Sequence, residues 1–75
     1  CEEALRVIWC ESRGDALAYS AGNRGLFQIN AIHQWRVGGD LALLYDASTN
    51  VRVAHEIWSE QGWTPWRHCG LGGGD

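Results

Sequence analysis

The chain has 75 residues, 45% of them apolar, and a formal net charge of -3 from nine acidic and six basic residues. That length gives one domain, which buries only about 60% of the surface its unfolded form exposes and therefore calls for a covalent staple. Without a basic run the chain is unsuited to phosphate backbones, which excludes nucleic acid as a partner, and no apolar run nears the roughly 20 residues of a membrane span.

In chain order, the first predicted element is a helix over residues 2–12, with Ala4, Leu5, Ile8 and Trp9 as its apolar face. Glu11 continues the Ala4, Ile8 row at i+7, so an acid is carried toward the protein. Gly14 supplies the left-handed stop, which leaves Glu11 in the last turn among carbonyls that disfavour its ionised form. Residues 15–25 are rich in Gly, Ser, Asn and Asp without period and read as a loop. A brief helix is expected over Ile32 to Arg36, ended by Gly38-Gly39. Asp40 caps a short turn through Leu43 or Leu44, and Ser48 or Thr49 caps a longer helix to about Gln61, buried through Val51, Ala54, Ile57 and Trp58. Gly62 ends it, and Thr64-Pro65 restarts one turn. No strand is evident, so the expected fold class is all-α, with the first helix packed on the last long one. Residues 1–70 form the domain and the Gly-rich residues 71–75 a tail or linker stub. A start at Cys1 fits a processed product or a domain cut from a longer chain.

Cys1, Cys10 and Cys69 are odd in number. A Cys10–Cys69 bridge closes a loop of about 60 residues, worth roughly 4 kcal/mol on the chain-entropy model. Cys1 with Cys10 is unattractive, because nine helical positions separate them by about 13 Å where a bridge tolerates about 7 Å. Cys1 with Cys69 and three reduced, buried thiols remain alternatives. A bridge implies an oxidising compartment.

The motifs Cys10-Glu11-Ser12-Arg13-Gly14-Asp15, Gly25-Leu26-Phe27-Gln28-Ile29, Asp46-Ala47-Ser48-Thr49-Asn50-Val51 and Gly62-Trp63-Thr64-Pro65-Trp66 with Cys69 stand in that order. Together they resemble the lysozyme-like domain of soluble lytic transglycosylases, over roughly residues 4 to 69. In small size and disulfide the chain is similar to resuscitation-promoting factors and to the murein-cutting domains of phage tails. The resemblance implies a minimal, disulfide-stapled lysozyme-like fold that cleaves the β-1,4 bond between N-acetylmuramic acid and N-acetylglucosamine. Glu11 is then the proton donor, Gln28 and Phe27 shape the cleft floor, Ser20 assists the acid, and Asn50 holds a helix end. The chain departs from larger relatives in lacking an Ala-Tyr-Asn motif whose Tyr approaches the acid; Tyr19 could approach from the loop instead.

The residues themselves favour one acid over two. Hydrolytic glycosidases usually pair carboxylates, yet Asp15 lies beyond the Gly14 break and Asp40 and Asp46 read as helix caps. A lone acid fits the transglycosylase route to a 1,6-anhydro product. A muramidase that adds water and a non-catalytic peptidoglycan- or chitooligosaccharide-binding module share the same motifs. Among five Trp residues, Trp9, Trp58, Trp63 and Trp66 are expected in the core, whereas Trp35 is the candidate for stacking on sugar. His33, His55 and His68 with Cys69 match no zinc-ligand spacing, so neither metal nor other cofactor is expected. The expected partner is the peptidoglycan glycan strand, met by a monomeric domain of a larger secreted, cell-envelope or phage-virion protein.

Overall fold

The computed structural model describes residues 2–69; Cys1 and the proposed tail at 71–75 lie outside the described residues. Helix α1 spans Glu2–Ser12 and helix α2 Ala47–Gln61. Three 3₁₀ helices, Ala31–Val37, Leu41–Tyr45 and Thr64–Cys69, complete the helical part. Between α1 and the first 3₁₀ helix the chain forms a small antiparallel sheet, with β1 Tyr19–Ser20, β2 Asn23–Arg24 and β3 Ile29–Asn30 in that order.

That sheet corrects the all-α expectation: the fold is mostly helical with a three-stranded sheet. In β1 and β2, Tyr19 pairs with Arg24 and Ser20 with Asn23, across a two-residue turn whose Ala21 and Gly22 both have positive φ, 51° and 83°. Two left-handed residues match the right-handed twist of a hairpin. The second hairpin pairs Asn23 with Asn30 and Arg24 with Ile29 around the turn Gly25 to Gln28.

The face of α1 is also corrected. Leu5 and Trp9 are 66% and 60% exposed, while Val7 and Ser12 are buried and Ala4 and Ile8 pack against the core. The inward row is thus Ala4, Val7, Ile8, Glu11 and Ser12, the i, i+3, i+4, i+7, i+8 stripe of a surface helix. Its left-handed stop begins one residue early, at Arg13. Helix α2 starts at Ala47 because Asp46, rather than Ser48 or Thr49, is its N-cap: one Asp46 carboxylate oxygen accepts from the Thr49 N–H and from both hydroxyls. Its buried face is Asn50, Val53, Ala54 and Ile57, with Val51 and Trp58 on the exposed side. Asp40 caps Leu41–Tyr45 as expected.

The core joins Val7 of α1, Phe27 and Ile29 of the second hairpin, Val37, Leu44, three α2 residues and Trp66. Helix α1 lies against Thr64–Cys69 and α2 against Leu41–Tyr45, so the two long helices meet through the shared core rather than as a simple pair. Trp66 is the hub: it is buried, its indole N–H donates to the Phe27 carbonyl at 3.0 Å, and its ring meets those of Phe27 and Trp63 edge-on.

Cys10 and Cys69 form the disulfide, with α-carbons 5.9 Å apart. It ties the end of α1 to the last 3₁₀ helix across 59 positions. Replacing both cysteines by Ser is expected to cost about 2–4 kcal/mol, read as a lower denaturation midpoint, and reducing agent should lower the midpoint of the native chain and leave the variant's unchanged.

Candidate active site

The end of α1, the second hairpin, the first and last 3₁₀ helices and the end of α2 surround one cleft of about 460 Å³, within the range of small-ligand sites. Glu11 comes from α1. Asn23, Gln28, Ile29 and Asn30 come from the hairpin, Ile32 and His33 from Ala31–Val37, Ile57 and Gln61 from α2, and Thr64, Pro65, Trp66 and His68 from the last segment. Among the described residues Glu11 is the one carboxylate that lines it. Asp15 accepts from the Leu17 N–H, and Asp40 and Asp46 are spent as caps.

The Glu11 side chain is only 11% accessible. Burial raises its pKa above the ordinary carboxyl value, against an opposing effect of the charge and hydrogen bonding of His68. The helix end adds less than the sequence suggested, because the carbonyls of Ile8 and Trp9 accept from the Ser12 hydroxyl and the Arg13 N–H. His68 Nε2 stands 2.7 Å from Glu11 Oε2. The ligand atoms of Glu11, His68 and Cys69 lie within 4.8 Å of one another, but the Cys69 sulfur is bonded to Cys10.

Gln28 lies in the left-handed region at φ 51°, a strained position for a side chain of this size. Its amide nitrogen donates to the carbonyls of Ala18 and Gly25, both at 3.1 Å, which holds the turn at the cleft floor. Asn30 donates to Asn23 at 3.0 Å, so two cleft amides are pre-oriented against each other. His33 Nδ1 accepts from Arg36 Nε at 3.1 Å, which leaves the ring proton on Nε2. Burial and the Arg36 charge hold its pKa below the ordinary histidine value, opposed by Glu60. Arg36 is itself fixed by Glu60 at 2.7 Å and Glu56 at 3.3 Å.

Of the residues singled out from the sequence, Glu11 and Gln28 are brought together in the cleft. Phe27 is in the core beneath it, packed on Trp66. Tyr19 and Ser20 are exposed on β1 and Trp35 is 66% exposed on the first 3₁₀ helix; none of the three lines the cleft. Asn23, Gln61, Thr64, His33 and His68 are cleft residues that sequence reasoning missed as site residues. The two histidines were visible only as a poor zinc pattern.

The profile of the Lysozyme like domain family matches residues 2–68, and the chain belongs to that family, as a lysozyme-like domain of the lytic transglycosylase type. No curated protein and no solved structure matches the chain. Membership implies peptidoglycan-related glycosidase activity, with peptidoglycan as the substrate class. A cell-wall-acting domain with a disulfide is compatible with an extracytoplasmic location, and among the described residues no helix is long and apolar enough to cross a membrane.

Proposed function

We propose that the domain cleaves the β-1,4 bond between N-acetylmuramic acid and N-acetylglucosamine by a lytic transglycosylase mechanism, with Glu11 as acid and then base. The observation that supports this most is the largely buried Glu11 carboxyl, the one carboxylate in the cleft among the described residues, with its pKa raised. A protonated Glu11 gives its proton to the glycosidic oxygen as the bond to the muramic acid C1 breaks. The acetamido carbonyl oxygen of the same sugar closes on C1 and takes the place of a second carboxylate. Glu11, now a carboxylate, accepts the proton of the sugar's own 6-hydroxyl, whose oxygen displaces the acetamido oxygen and closes the 1,6-anhydro ring. The proton account closes, and Glu11 ends as it began.

In this proposal Asn23, Gln28, Asn30, Gln61 and Thr64 bind hydroxyl and acetamido groups, while Ile32 and Trp66 face the apolar sides of the rings. Trp35 follows Ile32 by three positions, which a 3₁₀ helix places in register, so it extends the cleft rim as a stacking surface. The Arg36 guanidinium covers one side of that indole at 4.3 Å, and Arg24 lies over the Tyr19 ring at 5.0 Å. Phe27 supports the floor through Trp66, and Ser20 acts through its cross-strand partner Asn23.

Mass spectrometry of digested murein decides the chemistry, because anhydro and hydrated ends differ by one water. Anhydro-muropeptides are the expected product. Reducing ends alone would make the domain a muramidase, and binding without new ends would make it a sugar-binding module.

A further inference from the structure

We infer that His68 is a positioning residue for Glu11, holding Oε2 so that Oε1 is the oxygen that carries the proton to and from the sugar. This role rests on the proposed function above. The contact is built by the bridge: Cys10 precedes Glu11, Cys69 follows His68, and the Cys10–Cys69 bond clamps the two dipeptides together, bringing His68 Nε2 to 2.7 Å from Glu11 Oε2.

The two partners differ in environment. The carboxyl is 11% accessible and the imidazole 61%, so the ring faces solvent while the acid stays in the cleft wall. An isolated carboxyl can carry its proton on either oxygen and turn about its last bond. An Nε2–H directed at Oε2, present in the imidazolium and in one neutral tautomer, removes that freedom. When Glu11 gives up its proton, the same contact becomes charge-assisted and strengthens. The help is therefore greatest when the carboxylate forms, which is when it favours turnover over binding.

The titratable groups of the cleft are few. Glu11 comes from α1, His33 from the first 3₁₀ helix and His68 from the last. His33 is engaged with Arg36, and the exposed Arg13, Asp15 and Arg67 lie outside the cleft lining. Burial is the largest influence on the Glu11 titration, and His68 is the charged neighbour that opposes it.

The test compares His68→Gln, which keeps an N–H donor without a titrating charge, with His68→Val, which keeps neither. An exposed position makes both substitutions compatible with folding, and thermal denaturation checks this. In the substrate-free protein, carboxyl carbon NMR should show the Glu11 pKa moving upward in both variants, farther in His68→Val. With murein fragments, His68→Val should lower kcat about tenfold, one decade being the size of a single hydrogen bond to a charged group, and leave KM within about twofold. Its alkaline limb should move to higher pH, and His68→Gln should recover most of kcat. An unmoved Glu11 titration, or a His68→Val kcat equal to that of the native domain, overturns the role of His68. A native domain with no turnover overturns the proposed function instead.

Discussion

Glu11→Gln is expected to lower peptidoglycan cleavage by about 10²- to 10⁴-fold, the range of a positioned acid-base group, and at the same time to raise the melting temperature at neutral pH. The two effects share one cause. Burial lifts the Glu11 pKa above its unfolded value, so the folded state favours the protonated acid and disfavours the carboxylate. Stability contributed by such a group is full below the unfolded pKa and is lost as pH rises through the folded pKa. Gln has the shape of the protonated acid and no proton to lose. The variant's advantage should therefore be absent in acid and grow as pH rises through the Glu11 titration. His68 opposes the shift, so the gain is smaller than for an unpartnered buried acid. Melting curves across pH, run beside lysis of purified cell walls, measure both. Unchanged lysis would remove Glu11 from the chemistry, and parallel melting curves would show that its ionisation costs the fold nothing.

The acid was legible in the sequence because a helix repeats: Ala4, Ile8 and Glu11 share a row whichever other residues pack. The rest of that face was not, since Leu5 and Trp9 are larger than Val7 and hydrophobic size outweighed position, yet both are mostly exposed. In helix α2 size gives no such signal at the valines: Val51 is exposed and the identical Val53 is buried, and Trp58, though large, is also on the exposed side. The hairpin was hidden by its turn. Ala21 at φ 51° stands where Asn or Gly is the usual signal, and strands of two residues are too short to show alternation. The histidines of the cleft could not be read locally. His68 reaches Glu11 only through a bridge between positions 59 apart, and His33 owes its orientation to Arg36, which α2 acids hold in place. Local period finds a carboxyl carried on one helix face more easily than the side chains that a distant bridge or ion pair brings beside it.

Asn50→Ala should leave little folded protein at 37 °C. Asn50 is fully buried in the first turn of α2, and its amide makes three contacts that no other side chain replaces. It accepts from the Phe27 N–H at 2.9 Å and donates to the carbonyls of Arg24 and Leu44, each at 2.9 Å. These tie the turn that carries Gln28 to the helix and to the end of Leu41–Tyr45. Gly25 lets the amide approach: at φ 81° it has the backbone Gly favours, and a Cβ there would overlap Asn50 and the Leu44 carbonyl. Removing the amide strands three backbone groups, those of Phe27 and Leu44 in buried contacts, at about 1–3 kcal/mol each, and a total of about 3–9 kcal/mol equals or exceeds the roughly 3–5 kcal/mol that a core of this size supplies. Asn50→Asp provides the control. It keeps the acceptor for Phe27 but sets a carboxylate against two carbonyl oxygens, so its folded pKa is raised, and its stability should be greatest in acid and fall as pH rises through that pKa. Urea midpoints at several pH values measure this. Near-native midpoints for Asn50→Ala would mean that water replaces all three bonds, and the cleft floor would then be held by Trp66 and the hairpin alone.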